Sequence, residues 1–551
     1  MRKRIGINIV IMIMAVALCQ GCGQKQASTE TASSEEEVTE DESKSEDTAK
    51  EDDKEEDEAR TSDVPLKVLV EYRSHSEYKE PDSYAPLVSG TYAQVQLTDE
   101  SQNAYPDLGK ALETFNKNQE ENFLSEFDGY VSDARSLYDD LENKEDFIEC
   151  YDYKDINIVR ADNSYLSVRV NEENYMGGAH GWYGSGGYNY DVASGKELAL
   201  KDIIPDIATL QSIVKDKLKE KYSDLAEMDL VDESVPEYLT GEADQGCSWF
   251  INPCGVDIYF GVYQLGSYAA GSQTVSILYD ENPELFCEDF RKQNGNYVEA
   301  VNNWEQVSAD LNGDGNIDTY CIEPDEDEYG WVNSINVTIN GNKTNVEVYG
   351  YEIHPYLVHT GDKSYFYIEQ VEDNDYRMTV ALRVNDDTVE KISEYNGYIT
   401  DRLPTPDYES DWNSYWSAAF TTPDDIYVGD TIQIFSTHTG FAKAYINDNG
   451  ELTKVDDYYY AMQYSNDYNI TANKDIKADI VDKDSLEVLS ENDVLPSGTK
   501  IAVYGTLGDD TVDVIDSNGK VYRLAIKSDD WPQTIEGVDI EELFDGIMFA
   551  G

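Results

Sequence analysis

The sequence predicts a multidomain protein with an α+β N-terminal half followed by an all-β C-terminal half. The chain has 551 residues, more than one ordinary domain holds. Before residue 292, apolar residues recur twice at three- and four-residue steps, and strand-like runs surround both stretches. After residue 294 this helical periodicity nearly vanishes, and Asn-Gly dipeptides typical of hairpin turns separate short β-rich runs.

The N-terminus has the pattern of a secretory signal. Basic residues 2–4 precede an apolar run, 5–18, that is too short to span a bilayer comfortably. The following Gly21-Cys22 pair resembles a bacterial lipoprotein signal, in which the cysteine after a small residue becomes the lipidated N-terminus. We therefore predict a signal peptide at 1–22, with Cys22 acylated and Cys19 as the alternative acceptor. This implies an extracytoplasmic protein anchored to the outer face of the cell membrane, unless the signal is plainly secretory or is retained.

Strong acidity begins directly after the signal. Residues 23–63 contain 17 acidic and 5 basic side chains and almost no large apolar ones, which predicts a disordered tether. The whole chain has a net charge of −71, and most of it lies beyond the tether. Such a charge repels phosphate backbones, so nucleic-acid binding is excluded as a function class, whereas a cationic partner would be attracted.

The N-terminal half shows alternating strand and helix patterns. Strands are predicted at 66–72 and 91–97, followed by a helix that opens at Pro106, with Asp107 as its N-cap. Further along come paired strands at 156–159 and 165–170, a helix at 207–222, and strands at 256–260 and 274–278. We assign these elements to one α+β module, 64–292, with a small subdomain at 64–145 and a main subdomain at 146–292.

The C-terminal half divides into two predicted β regions. Residues 300–462 contain loosely similar strand blocks, which suggest repeated hairpins or a propeller-like arrangement. Residues 472–551 are predicted to form a small β-barrel-like domain that closes with a short helix at 538–549. The stretch 495–504 resembles the turn and strand of bacterial Src-homology-type barrels.

An ordered series of motifs marks the main subdomain. It comprises Gly-Gly-Ala-His-Gly at 177–181, Tyr-Asn-Tyr-Asp-Val at 188–192, Gly-Lys-Glu-Leu-Ala-Leu-Lys-Asp-Ile at 195–203, and Tyr-Ala-Ala-Gly at 268–271. Over about 64–288 the chain resembles the extracytoplasmic module shared by RsiV-type anti-sigma factors and the non-catalytic part of PdaC-type deacetylases.

The resemblance implies an extracytoplasmic recognition module. In the anti-sigma branch that module binds lysozyme, a strongly basic protein. This chain departs from both branches, because it lacks a cytoplasmic anti-sigma helix and the deacetylase metal motif Thr-Phe-Asp-Asp-Gly. We therefore expect neither sigma-factor binding nor deacetylation.

The glycine-flanked loop is the predicted ligand-contact site, with Gly178, His180, Trp182 and Tyr188 as its candidate residues. Flanking glycines leave His180 accessible, as a ligand contact requires, although a purely structural loop is the alternative. The paired histidines of a zincin and the Gly-x-Ser-x-Gly elbow are both missing from the sequence. We therefore predict no catalytic residue and no enzymatic activity.

A second motif, 310–318, places oxygen-bearing side chains at alternate positions around Gly315, a pattern typical of calcium loops. An EF-hand loop ends with a bidentate glutamate, where this one has Cys321. The loop is similar instead to those of integrin-type and other bacterial β-repeat proteins. We predict a structural calcium ion, with a metal-free turn as the alternative; its ligands would be Asp310, Asn312, Asp314, Asn316 through its main-chain carbonyl, and Asp318.

Three functions remain open on the sequence. The preferred one is a lipid-anchored, non-catalytic binding or sensing protein that recognises a cationic, lysozyme-like protein or a cell-wall component such as peptidoglycan. One alternative is a cell-wall glycoside hydrolase that uses two carboxylates, because the 112 acidic residues make such pairs available. The other is an architectural surface protein stabilised by calcium.

Overall fold

A computed structural model describes residues 64–549, apart from 82–83, 223–229, 241–245, 294, 373–375, 402–413, 418 and 463–467. The predicted signal, Cys22 and the tether lie outside the described residues. The predicted fold class is confirmed, since helices pack on sheets in the first half and strands dominate the second.

The N-terminal sheet organises the first half. Its strands are β1 (Val68–Tyr78), β2 (Pro86–Leu97), β3 (Cys150–Ala161), β4 (Tyr165–Tyr175), β5 (Trp182–Asp191) and β19 (Ser414–Ser417). They lie in the order β19-β1-β2-β3-β4-β5, with β2 and β3 parallel and the other neighbours antiparallel. The edge strand β19 comes from the second half of the chain.

One face of the N-terminal sheet is covered by a long helix. A short helix, α1 (Asp99–Ala104), precedes α2 (Pro106–Asp140), which buries Leu108, Leu112 and Phe115 against the sheet. The predicted N-cap was wrong. Proline is favoured at the first helical position, and Pro106 occupies it, so Asp107 lies inside the first turn and pairs with Lys110 at 2.7 Å.

Three helices and a short sheet form the next layer. The helices are α3 (Leu200–Ile203), α4 (Ile207–Lys221) and α5 (Leu230–Thr240), and the strands are β6 (Ser248–Asn252), β7 (Gly255–Phe260) and β8 (Gln273–Leu278). This short sheet lies close against the second face of the N-terminal sheet. A Cβ at Gly187 would come within 2.1 Å of the Trp249 carbonyl oxygen, so glycine is required there. The predicted helix at 207–222 and strands at 256–260 and 274–278 are confirmed.

The second half begins with a sandwich. One sheet contains β10 (Val307–Ala309), β11 (Asp318–Glu326), β12 (Val332–Ile339) and β13 (Asn342–Gly350). The other contains β9 (Tyr297–Ala300), β14 (Glu352–Thr360), β15 (Lys363–Val371), β16 (Arg377–Asn385) and β17 (Thr388–Asn396). Alternation along β15 turns Phe366 toward the sandwich core and Tyr365 toward the following sheet.

The C-terminal sheet follows without a break at residue 462, because Tyr458–Tyr460 pair with Gly505–Leu507 across the predicted boundary. Its strands are β18 (Ile399–Thr400), β20 (Ile426–Ile432), β21 (His438–Ile446), β22 (Leu452–Ala461), β23 (Ile470–Ala472), β24 (Ile476–Val481), β25 (Val488–Leu495), β26 (Lys500–Leu507), β27 (Thr511–Asp516), β28 (Val521–Ala525) and β31 (Phe544–Asp545).

The chain ends with short elements on that sheet. A small hairpin of β29 (Thr534–Ile535) and β30 (Val538–Asp539) leads into α6 (Ile540–Leu543). The helix is shorter than the predicted 538–549, because Phe544 and Asp545 pair with β23 instead of continuing the helix.

A buried ion pair joins the two halves. Arg169 of β4 lies 2.7 Å from Glu305, which follows β9, and their side chains are 9% and 11% exposed. Burial opposes ionisation of Glu305, yet the charge of Arg169 and its hydrogen bond outweigh it and lower the pKa of the carboxyl. The guanidinium also stacks on Phe250, 4.7 Å from the ring centroid.

We expect Arg169→Met to destabilise the protein by about 3 to 5 kcal/mol, because it leaves the Glu305 carboxylate buried without its cation. Adding Glu305→Gln should restore most of the loss, since the amide carries no charge. Differential scanning calorimetry measures both effects. The control is Lys217→Met, which breaks the more exposed pair with Glu281 and should change the melting temperature little. An Arg169→Met protein as stable as that control would contradict the assignment.

Asp152 of β3 makes stability depend on pH. It is 1% exposed beneath α2, and its Oδ2 has no hydrogen-bond partner among the described residues. Burial raises the pKa of its carboxyl from 3.8 to about 6, even though Lys154 lies nearby. The native state therefore binds this proton more tightly than the unfolded state, so stability falls as pH rises from about 4 to about 6.

Asp152→Asn removes that titration. We expect the variant to be more stable than the parent at pH 8, by up to about 3 kcal/mol, and equal to it near pH 4. Thermal melts across this pH range measure the difference. Asp128→Asn, on the exposed side of α2, should show no such pH-dependent gain.

Candidate functional site

The predicted contact loop connects β4 and β5, and it places His180 against aromatic side chains. The His180 ring stacks on Tyr268 with centroids 3.9 Å apart and an interplanar angle of 19°. Its Nδ1 lies 2.8 Å from the Gly181 carbonyl oxygen, so Nδ1 donates and Nε2 is left to accept from the Tyr263 hydroxyl at 3.4 Å. His180 is thus held in one orientation by these contacts, and its side chain remains exposed.

Gly178 shapes the loop through its backbone conformation. Gly177 and Gly178 have φ angles of +88° and +98°, which other residues adopt only with strain. The Gly178 carbonyl accepts a hydrogen bond from the Tyr175 hydroxyl at 3.2 Å, which fixes the loop on the end of β4.

His180 belongs to a larger group of rings that we call the aromatic surface. Its members are Tyr151, Tyr153, Tyr175, His180, Tyr183, Tyr263 and Tyr268. Tyr151 stacks on Tyr153 at 5.0 Å, and Tyr268 meets Tyr183 at 5.8 Å and Tyr263 at 5.7 Å. Tyr263 lies in the connection between β7 and β8, where its backbone has a φ of +69°. Its side chain projects into solvent, since the residue is 56% exposed.

Most of these rings lie on one face of the sheet because every second residue of a strand points to the same side. Tyr151 opposes Tyr175, Tyr153 opposes Glu173, and Glu173 opposes Tyr183, so all five side chains share one face of the N-terminal sheet. That face continues beyond the rings, through Asp155 and Asn171, toward the junction with the second half.

Carboxylates border the aromatic surface. The Tyr151 hydroxyl donates to Glu173 at 2.8 Å, and burial together with the Glu173 charge raises the pKa of Tyr151. Burial and the same Glu173 charge raise the pKa of Glu326, which lies at the edge of this region. Ring faces and carboxylates both attract cations.

The two other predicted contact residues are on the opposite face. Tyr188 packs edge-on against Phe115 of α2 at 4.8 Å, and its hydroxyl accepts from Gln119 at 3.2 Å. Trp182, 39% exposed, opposes Asn174 on that same face. The structure therefore does not bring Trp182 and Tyr188 together with His180.

Sequence reasoning missed most of the aromatic surface. The i, i+2 spacing of Tyr151 and Tyr153 was a usable signal, because such residues share a strand face. Tyr263 gave no local signal, since only the packing of the short sheet on the N-terminal sheet brings it near His180.

The calcium-type loop lies between β10 and β11. The Asp310 carboxylate accepts hydrogen bonds from the backbone amides of Gly313 and Gly315 at 2.8 and 2.9 Å. The side-chain oxygen of Asn312 accepts one from the backbone amide of Asp314 at 2.9 Å. Asp314 accepts from the Asn316 amide at 2.7 Å, which lowers the pKa of its carboxyl.

The Asp318 carboxylate accepts hydrogen bonds from two amides. Its Oδ2 accepts from the backbone amide of Leu311 at 3.2 Å, and its Oδ1 accepts from the side-chain amide of Asn340 at 2.7 Å. In the described ranges, no group of three or more His, Cys, Asp or Glu side chains is arranged to hold a metal. The predicted ligand set contains three aspartates, Asp310, Asp314 and Asp318, and calcium binding stays a prediction.

Two carboxyls near the junction, that of buried Asp257 and that of partly buried Glu299, bear on the hydrolase alternative. Burial raises the pKa of Asp257 and of Glu299. Asp257 is 5% exposed, and its carboxylate accepts a hydrogen bond from the Asn252 side-chain amide at 2.9 Å. Asp257 is therefore placed as part of the core rather than facing a glycan.

No helix in the described part of the chain combines the length and the apolar character that crossing a membrane requires.

The chain shares one region with a known family. Residues 201–280 match the family described as protein of unknown function DUF3298. A crystal structure of a DUF3298 member from Bacteroides fragilis is similar at 18% identity, over 41% of this chain and 94% of that one, with a TM-score of 0.32. One from Pseudomonas aeruginosa is similar at 16% identity, over 41% and 96%, with a TM-score of 0.25. No curated protein matches the chain. The chain thus contains a DUF3298 domain at residues 201–280, which contributes Tyr263 and Tyr268 to the aromatic surface.

Proposed function

We propose that this protein is a lipid-anchored, extracytoplasmic binding or sensing protein that recognises a cationic protein through its aromatic surface. The observation that carries the proposal is the stack of His180 on Tyr268 beside Tyr263, with Glu173 and Glu326 at its border. The anchor would be Cys22, and the acidic tether would hold the folded part away from the membrane.

Two physical effects support a cationic partner. A chain with a net charge of −71 attracts a basic protein over long distances and accelerates encounter. Exposed ring faces then bind lysine and arginine side chains at short range by cation–π contact. The resemblance to the RsiV-type module, whose anti-sigma branch binds lysozyme, points to the same class of partner.

The proposal predicts saturable, salt-sensitive binding of lysozyme to the full chain, measured by biolayer interferometry. The double variant Tyr263→Ala/Tyr268→Ala should weaken binding about tenfold or more, because aromatic anchors dominate such interfaces. The control is Tyr349→Ala on β13, which removes a tyrosine of similar exposure outside the aromatic surface and should bind as the parent does. Equal affinity of all three proteins, or no binding by the parent, would refute the proposal.

We further propose that the 310–318 loop holds a structural calcium ion. Calcium would then raise the melting temperature by several degrees and a chelator would reverse the gain, since a ligand of the native state stabilises it. Asp314→Asn should abolish the response, while Asp386→Asn, in the turn between β16 and β17, should keep it. A melting temperature indifferent to both calcium and chelator would show that the loop is a metal-free turn.

A further inference from the structure

A polar cavity of about 380 Å³ lies at the junction of the two halves, outside the aromatic surface. Its walls come from β3 and β4 of the N-terminal sheet, from residues 300–304, and from β14 to β16 of the sandwich. This volume is in the range of small-molecule sites, which commonly form between domains.

Charged side chains line the sandwich side of the cavity. Glu369 is 5% exposed and bonds Arg377 at 2.6 Å, so a charged pair is built into the wall. Beside it, His354 lies 3.4 Å from Glu352 and directly opposes Glu369 across the β14–β15 ladder. With Asp155 and Glu326 also in the lining, carboxylates outnumber basic groups, which disfavours an anionic ligand.

Amides form the facing wall. Asn157 donates to Asn302 at 2.6 Å, and Asn171 lies 3.4 Å from the same side chain. Asn303 donates to the Ile353 carbonyl at 2.8 Å, whereas its buried Oδ1 has no hydrogen-bond partner within the described residues. The side chains of Asn157, Asn171 and Asn302 therefore supply the polar donors and acceptors of this wall.

Aromatic rings stand at the rim. Trp304 is 60% exposed and held at a φ of +67°, a strained value for a tryptophan, by the bond from its amide to the Ile322 carbonyl at 2.8 Å. Tyr351, which packs edge-on against Trp331 at 4.5 Å, also lines the cavity.

We propose that this cavity binds a short saccharide that is uncharged or carries amines. Hydroxyl groups both donate and accept, and the amides, carboxylates and Arg377 supply both roles. An exposed indole offers the flat apolar face on which a sugar ring stacks. The excess of carboxylates selects against acidic sugars and favours amino sugars.

The saccharide site goes beyond the proposed protein-binding function and does not depend on it. It uses Trp304, which is not part of the aromatic surface, although Glu326 borders both sites. Either site is able to fail its test while the other passes.

The test titrates tetra-N-acetylchitotetraose, and separately its fully deacetylated form, into the full chain by isothermal calorimetry. The parent should bind both saturably, and the deacetylated form more tightly at low salt. Trp304→Ala should weaken both about tenfold or more, and Trp304→Phe should retain most of the affinity because it keeps a ring.

Trp531→Ala is the matched control, because it removes another highly exposed tryptophan from the C-terminal sheet region and should bind sugars as the parent does. Tyr263→Ala/Tyr268→Ala should also leave sugar binding unchanged, and Trp304→Ala should leave lysozyme binding unchanged. Absence of saturable binding of either oligosaccharide by the parent, or equal affinity of Trp304→Ala and the parent, would overturn the proposal.

Discussion

The buried pair of Arg169 and Glu305 is the interaction on which the arrangement of the two halves depends. It links β4 of the N-terminal sheet to the segment that follows β9, and Thr274 and Asn302 also bond the carboxylate. A charge pair this deep is costly unless both partners stay in place, so it specifies how the halves meet. Asn302, which lines the cavity at the junction, donates to the same carboxylate, so the ion pair and the cavity wall are directly connected.

One face of the N-terminal sheet carries both proposed sites. Tyr151, Tyr153, Asp155 and Asn157 follow one another at every second position of β3, so rings at one end give way to polar groups at the junction. The short sheet covers the remainder of that face, and its β7–β8 connection brings Tyr263 and Tyr268 over the rings. The same packing thus both stabilises the module and completes the aromatic surface.

Part of the fold was predictable because local patterns carried it. The helix from Pro106, the helix at 207–221 and the pairing of β3 with β4 all follow from short-range periodicity, and the structure confirms them. The N-cap at Asp107 and the extent of the terminal helix, 538–549, were wrong, since a preceding proline and a distant partner strand decided those boundaries. Of the predicted contact residues, His180 lies in the aromatic surface, whereas Trp182 and Tyr188 face away because strand alternation turns them toward α2.

By itself, the sequence determined the fold class, the strong negative charge and most individual elements, because these depend on composition and on neighbours a few residues apart. Only the tertiary structure decided which strands from the second half complete the first, which rings meet at His180, and that a polar cavity forms at the junction. Those features join residues more than eighty positions apart, such as His180 and Tyr263 or Asn157 and Asn302, and no local pattern encodes such distances.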